Sequence, residues 1–131
     1  MVIVIGATGF IGMYTVEALI QSGKEVLATG RNAKLGKKLQ DMGARFLSLD
    51  ITNKSDFDKL PTRDVEGVIL LAGLLPANAK ADLENEENAA DYFEVNVIGA
   101  INVLEYCRKN GIKKVIGSCS YSDVSGAWGK G

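Results

Sequence analysis

Three glycines, Gly6, Gly9 and Gly12, lie three residues apart and directly follow an apolar run at the start of this 131-residue chain. The pattern predicts a strand that turns sharply into a helix, whose first N–H groups and dipole attract a phosphate. A side chain at Gly6 or Gly9 would obstruct that approach, whereas Gly12 lets the helix pack closely against the strand. Thr8 adds a hydroxyl donor. We therefore predict that the turn binds the pyrophosphate of a dinucleotide; the simpler interpretation is a tight turn without a ligand.

Arg31 follows the second predicted strand, where the adenosine ribose of a dinucleotide would lie. An acidic residue there would hold the two ribose hydroxyls of NAD, but "LATGRN" has Thr29 and Gly30 followed by Arg31. A guanidinium group offers a fork of donors to a 2′-phosphate. Arg31 therefore favours NADP over NAD, and three lysines of the next helix add positive charge. The alternative is a solvated surface arginine.

The remaining composition argues against several kinds of site. The chain has no histidine, and Cys107 and Cys119 lack CxxC spacing, so we predict no metal site and no nucleophile activated by histidine. A net charge of −1 argues against nucleic-acid and membrane partners. No apolar run reaches the length of a membrane-spanning helix and no signal-peptide pattern is present, so we expect a cytoplasmic protein.

Five apolar segments alternate with helical segments, which is typical of a parallel sheet with helices on both faces. The predicted fold class is therefore α/β, a doubly wound (Rossmann) sheet, with residues 1–131 as a single dinucleotide-binding domain. Strands are predicted at Met1–Ile5, Glu25–Thr29, Ala44–Leu49, Gly67–Leu71 and Lys114–Ser118. Helices are predicted at Phe10–Gln21, Ala33–Met42 and Ala89–Lys109, and "TNKSDFDKL" as a short polar helix or turn.

Apolar residues recur at helical spacing in the first and the last of these helices. In the first helix, Ile11, Val16, Leu19 and Ile20 are able to share a face. In the last helix, the apolar positions are Tyr92, Phe93, Val95, Val97, Ile101 and Leu104.

Together these motifs resemble the extended short-chain dehydrogenase/reductases, the NAD(P)-dependent sugar-nucleotide epimerase/dehydratase group. "GATGFIG" is similar to the family's GxxGxxG form, "LDIT" to its acidic segment after the third strand, and "LLAG" to the end of its fourth strand. "NVIGAINVLEYCRKNGIKKVI" resembles its long helix and fifth strand. The similarity spans essentially the whole chain and implies an oxidoreductase-type NAD(P)-binding fold.

The resemblance implies further cofactor contacts. Asp50 would accept a hydrogen bond from the adenine amino group, with Ile51 packed on the ring; otherwise Asp50 is a turn or cap residue before Thr52. Asn96 would help to hold the active-site backbone, or it is an ordinary polar residue of the helix. Motifs and resemblance together predict these cofactor-binding residues: Gly6, Thr8, Gly9, Phe10, Ile11, Gly12, Arg31, Asp50, Ile51, Leu71, Ala72, Gly73 and Asn96.

Catalysis in the resembling family uses a tyrosine whose pKa is lowered by a lysine four residues later. None of the four tyrosines of this chain is followed by lysine at that spacing. "GSCSYSDVSG" resembles the family's serine-rich stretch, which binds the reacting oxygen. Counting forward from the fifth strand gives Ser120 as the catalytic-type serine. Counting back from "VSG" gives Tyr121, so the two counts differ by one residue. Ser122 therefore stays an alternative, as does a polar turn without catalytic function.

Three functions follow as hypotheses. In the first, the chain is the NAD(P)-binding portion of an epimerase, dehydratase or reductase, and its substrate-binding region is absent. The full-length parent would act on a small molecule, a nucleotide sugar or a related carbonyl or alcohol. The alternatives are a stand-alone, non-catalytic NAD(P)-binding or redox-sensing module and a flavin reductase-like protein. The last strand would leave an unpaired sheet edge, which predicts a homodimer.

Overall fold

A computed structural model describes residues 1–73 and 89–118, in which five parallel strands form one sheet in the order β3-β2-β1-β4-β5. The strands are β1 (Val2–Ile5), β2 (Val26–Gly30), β3 (Arg45–Ser48), β4 (Gly67–Leu70) and β5 (Val115–Gly117). The helices are α1 (Phe10–Gln21), α2 (Ala33–Asp41), a 3-10 helix (Lys54–Lys59), α3 (Ala89–Phe93), a π segment (Glu94–Gly99) and α4 (Ala100–Lys109). The α/β doubly wound fold predicted from the sequence is confirmed.

β1 lies at the centre of the sheet because it is apolar on both faces, and all four of its residues are buried. Val2 pairs with Val26 of β2 on one side and with Gly67 of β4 on the other. The chain builds β2 and β3 on one side of β1 and then crosses to form β4 and β5 on the other. In such sheets a ligand crevice opens at the carboxyl ends of the strands where the order reverses, here beside β1 and β4.

Both faces of the sheet carry an apolar core. On one face the sheet packs against α4 and the 3-10 helix; on the other it packs against α1 and α2. The first core is centred on Ile3, Ile5, Leu27, Val68, Val103, Tyr106 and Cys107. The second is centred on Val4, Val16, Val26, Ala28 and Leu39. The site described below is therefore held by a sheet that is fixed from both sides.

The helical run from α3 to α4 packs on the sheet with a face that the spacing of its apolar residues did not predict. Val103, Tyr106 and Cys107 are buried against the sheet. Four of the apolar residues noted in the sequence are instead exposed: Phe93, Val97, Ile101 and Leu104. Apolar residues occupy most of the helix circumference, so their spacing alone does not define the side that meets the sheet.

α1 shows a similar difference, because Val16 is buried while Ile11 lies on the surface. Within the described residues, no helix has the length and apolar character needed to cross a bilayer. The serine-rich stretch with Ser120 and its alternative Ser122 lies outside the described residues, as does Cys119.

Candidate functional site

The carboxyl ends of β1 to β4 surround a cleft of about 700 Å³, a volume within the range of small-molecule sites. Most of the predicted cofactor-binding residues line it: Gly6, Thr8, Gly9, Arg31, Asp50, Ile51, Leu71, Ala72 and Gly73. The rest of the lining is Ile5, Gly30, Asn32, Ala33, Leu49 and Val95. The fold thus brings residues between Ile5 and Val95 together on one concave surface.

Gly6 forms the turn after β1, and the fold itself requires glycine there. Its φ of +85° is in the left-handed region, and a Cβ at this position would lie 2.4 Å from the backbone nitrogen of Ala72. Ala72 belongs to the segment that leaves β4, where the N–H of Leu71 donates to the carbonyl of Ile5 at 2.8 Å. Gly6 therefore lets the exits of β1 and β4 touch at the point where the crevice opens.

Gly12 and Gly9 differ in the space that a side chain would have at each position. A Cβ on Gly12 would lie 2.3 Å from the carbonyl oxygen of Gly6, so α1 packs closely against the turn itself, rather than against the strand as the sequence suggested. Gly9 has a φ of −78°, which any residue adopts, and a Cβ there would make only an ordinary contact of 3.5 Å with Gly6. Packing therefore does not explain Gly9, which lies in the cleft lining.

α1 begins directly after Gly9, and its first amides lack hydrogen-bond partners within the helix. The first hydrogen bond of the helix joins Met13 N to Gly9 O at 3.1 Å, and the amides ahead of it have no intrahelical partner. The side chains of Phe10 and Ile11 are 81% and 62% exposed and lie outside the cleft lining. A phosphate at this turn would therefore meet the backbone N–H groups of Phe10 and Ile11 and not their side chains.

The exit of β2 packs directly against the side chain of Thr8. A Cβ on Gly30 would lie 2.5 Å from the Thr8 hydroxyl oxygen, so this strand end has no room for a carboxylate side chain while Thr8 is present. Arg31 follows as an exposed residue in the cleft lining. Asn32 then caps α2, its Oδ1 accepting a hydrogen bond from Leu35 N at 3.1 Å. Arg31 and the N-terminus of α2 thus lie at the same edge of the cleft.

Asp50 sits in the loop after β3 and organises that loop with one of its two carboxylate oxygens. Its Oδ1 accepts hydrogen bonds from the N–H and the hydroxyl of Thr52 at 2.9 and 2.7 Å. These bonds, aided by the positive charge of Arg31, hold the pKa of Asp50 below its usual value. The turn role considered in the sequence is therefore observed. Among residues 1–73 and 89–118 the bonds to this carboxylate are those to Oδ1, and the contact with adenine stays a prediction.

The segment that leaves β4 supplies the remaining wall of the cleft through Leu71, Ala72 and Gly73. Asn96, in the π segment, lies next to this wall, since a Cβ on Gly73 would be 3.2 Å from the Asn96 Oδ1. Asn96 does not itself line the cleft, whereas the neighbouring Val95 does.

The lining residues missed in the sequence fall into two groups. Ile5, Gly30 and Leu49 end or directly follow strands, so their positions at strand ends were a usable signal. Val95 was noted only as an apolar position of the last helix, and that spacing does not connect it with the cleft. Asn32 and Ala33 start α2, where the capping pattern was available but was not connected with the cleft.

Comparison with known protein families gives one match over nearly the whole chain. Residues 2–128 match the model of the NAD dependent epimerase/dehydratase family. A UDP-glucose 4-epimerase from Pisum sativum is 32% identical over 131 residues, which are 91% of this chain and 36% of the pea protein. A Methanocaldococcus jannaschii protein with a provisional UDP-glucose 4-epimerase name is 34% identical over 96% of this chain and 40% of its own length. The chain thus spans less than half of the length of these curated relatives.

Two solved structures with bound dinucleotides show the same fold. A Thermus thermophilus UDP-glucose 4-epimerase in complex with NAD superposes with a TM-score of 0.69 and 30% identity, over 87% of this chain and 35% of that one. A serine dehydrogenase complexed with NADP+ superposes with a TM-score of 0.72 and 26% identity, over 98% of this chain and 56% of that one. Structural relatives of this chain therefore include one protein with NAD and one with NADP+.

Proposed function

This chain belongs to the NAD dependent epimerase/dehydratase family, and we propose that its cleft binds a nicotinamide adenine dinucleotide, with NADP preferred to NAD. The observation that carries the proposal is the turn between β1 and α1. There Gly6 and Gly12 are used for close packing, Gly9 leaves the cleft open, and the first amides of α1 lack intrahelical partners. A bound dinucleotide would supply hydride transfer at its nicotinamide ring, and the residues described here would bind and orient it.

The lining residues divide among the parts of such a ligand. The first amides of α1 and the Thr8 hydroxyl would bind the pyrophosphate. Asp50 offers an acceptor to the adenine amino group, and Ile51 offers an apolar surface to the ring. The β4 exit at Leu71–Gly73, with Asn96 beside it, faces the remaining end of the cleft and would hold the nicotinamide half.

The preference for NADP follows from the charge and the space at the β2 exit. A carboxylate at position 30 would attract the ribose hydroxyls of NAD, but Thr8 occupies the volume that its side chain needs. Arg31 brings a guanidinium to this edge, and the N-terminus of α2 adds a favourable dipole for an anion. Both features favour a 2′-phosphate over free hydroxyls.

Parallel titrations with NADPH and NADH, followed by nicotinamide fluorescence, test the proposal. We expect the wild-type chain to bind NADPH about tenfold or more tightly than NADH, as for a charge-assisted contact. Arg31→Ala should remove most of this preference. Arg63→Ala is the matched control, because Arg63 is also exposed but precedes β4 at the opposite end of the strands. Equal affinities in the wild type would contradict the NADP preference, and binding of neither dinucleotide would contradict the site.

We further propose that the chain is the cofactor-binding portion of an enzyme acting on a nucleotide sugar or a related carbonyl or alcohol. The identity to the pea UDP-glucose 4-epimerase supports this substrate class. Ser120 is proposed to bind the reacting oxygen of that substrate. Because no tyrosine of the chain is followed by lysine at the family's spacing, we expect no interconversion of UDP-glucose and UDP-galactose by these 131 residues alone. Turnover by the purified chain would contradict this.

Self-association through β5 is proposed on the basis of its edge position. Among the described strands β5 pairs only with β4, and Ile116 is 64% exposed. An edge of this kind favours pairing with another strand. Sedimentation should show a dimer at high protein concentration, and a clean monomer there would contradict the proposal.

A further inference from the structure

Asn102 connects α4 with the loop that carries Asp50. Its Nδ2 donates a hydrogen bond of 2.8 Å to the carbonyl oxygen of Ile51, across 51 residues of sequence, and the bond is partly buried. One helical turn earlier, Gly99 faces the same residue, since a Cβ on Gly99 would lie 2.5 Å from Ile51 Cδ1. The helix therefore contacts Ile51 at two points, one on its carbonyl and one on its side chain.

Ile51 needs such support because it lies beyond the sheet. β3 ends at Ser48, and the chain continues through Asp50 and Ile51 before the 3-10 helix begins. At the start of the loop Leu49 N donates to the carbonyl of Gly30 at 3.0 Å. The bonds that follow are local: Thr52 donates to Asp50, Asn53 N donates to the carbonyl of Asp50 at 3.0 Å, and Asp50 N donates to Asp56. Asn102 contributes the hydrogen bond that ties the Ile51 peptide to the helix on the far side of the core.

We propose that Asn102 is a positioning residue for the adenine end of the cleft, acting through the Ile51 carbonyl on the placement of Asp50 and Ile51. The proposal rests on the proposed dinucleotide site. The peptide that Asn102 holds is followed directly by Thr52, whose N–H and hydroxyl fix the Asp50 carboxylate. Loss of the Asn102 amide leaves a partly buried carbonyl without its donor, and the loop rearranges to reach water. The phosphate end of the cleft, built on β1 and α1, does not depend on this bond.

The test compares NADPH with its hypoxanthine analogue, in which a carbonyl oxygen replaces the adenine amino group and the adjacent N1 carries a hydrogen. The Asp50 carboxylate would accept a hydrogen bond from the amino group of NADPH and would repel the carbonyl oxygen of the analogue. The wild-type chain should therefore bind NADPH more tightly than the analogue. The preference is measured as the dissociation constant of the analogue divided by that of NADPH. In Asn102→Ala this ratio should fall by about fivefold, of the order expected for one lost hydrogen bond.

Asn110→Ala is the matched control. Asn110 lies at the end of the same helix, and its Nδ2 also donates to a backbone carbonyl, that of Tyr106, at 2.8 Å. This variant should keep the wild-type ratio. If Asn102→Ala does not fold, Asn102→Asp preserves the side-chain volume, removes the donor and should lower the ratio in the same way.

The outcomes separate this proposal from the proposed function. If the wild type binds neither ligand, the dinucleotide site is refuted and the positioning role with it. If the wild type binds both ligands equally, or if Asn102→Ala weakens both by the same factor, the site stands and the positioning role is overturned. A ratio that falls in Asn102→Ala but not in Asn110→Ala supports it.

Discussion

The two sides of the cleft are built from different materials. At the exit of β1 the wall is backbone: Gly6 and Gly12 allow turn, strand and helix to touch with no side chain between them. At the exit of β3 the wall is a network of side chains, in which Asp50, Thr52 and Asp56 hold the loop by hydrogen bonds. Both walls face the same volume.

This difference determines how each side responds to substitution. At Gly6 and Gly12 an added atom is destabilising, because the neighbouring groups are peptides that cannot rotate away. A side-chain network loses one hydrogen bond at a time, and solvent replaces part of what is lost. We therefore expect large effects on stability at the β1 exit and graded effects on ligand binding and pH dependence at the β3 exit.

Gly6→Ala should have the largest effect on stability. The alanine would be strained at φ +85° and its Cβ would meet Ala72 N at 2.4 Å. Left-handed strain and overpacking together are expected to cost about 2–5 kcal/mol of unfolding free energy. Urea denaturation followed by circular dichroism measures it.

Two matched variants separate the causes of that loss. Gly111→Ala has a similar φ of +66° but nothing within 4 Å of the added Cβ, so it reports strain alone, about 1–2 kcal/mol. Gly12→Ala adds a clash with Gly6 O at 2.3 Å in a helical residue, so it reports overpacking. If Gly6→Ala costs no more than Gly111→Ala, the contact between the β1 and β4 exits does not matter to stability.

Gly9→Ala should separate binding from folding on the same wall. Because its backbone is extended and the added Cβ makes only an ordinary contact, the unfolding free energy should change by less than about 0.5 kcal/mol. The methyl group would project into the cleft, and NADPH affinity should fall severalfold in a fluorescence titration. A variant with wild-type affinity would show that the phosphate does not approach the α1 turn.

The β1 wall was largely predictable from the sequence because it depends on glycines at fixed spacing and on a local apolar pattern. The glycine spacing singled out Gly6 as a residue whose side chain would obstruct a phosphate, and the structure adds a second reason in its left-handed φ and its contact with Ala72. The apolar run before it and the helical spacing after it gave the strand and helix bounds. Short apolar runs also predicted the other strands, of which β2 is buried along its whole length, as such a run implies.

The β3 wall was predictable only in part. Asp50 and Ile51 were identified through family resemblance, but their partners Asp56 and Asn102 were not, because hydrogen bonds between distant residues leave no local pattern. The same limit applies to α4, where spacing did not reveal that Val103 and Tyr106 meet the sheet. Such contacts depend on how elements pack, which a single sequence does not state.

Acidification should lower the free energy of unfolding slightly, because the carboxylates of the β3 wall become protonated. Hydrogen bonds from Thr52 lower the pKa of Asp50 from 3.8, and hydrogen bonds from Asp50 N and Lys59 lower that of Asp56. A carboxylate whose folded pKa is depressed stabilises the fold above its unfolded pKa, and that stability is lost as the pH falls through the folded value. Unfolding free energy should therefore decrease between about pH 5.5 and pH 3, with Asp50 contributing below about 1 kcal/mol because it is partly exposed.

Asp50→Asn sharpens this prediction, because the amide oxygen keeps the Thr52 bonds but does not titrate. The variant should show a shallower loss of stability over the same pH interval than the wild type, with the remainder coming from Asp56 and other carboxylates. Asp58→Asn is the control, since Asp58 is exposed on the 3-10 helix and accepts no hydrogen bond from the described residues. Identical pH profiles for the wild type and Asp50→Asn would mean that the Asp50 bonds persist in the unfolded chain or contribute nothing. The β3 wall would then be stabilised by backbone contacts, as the β1 wall is, and not by the side-chain bonds of Asp50.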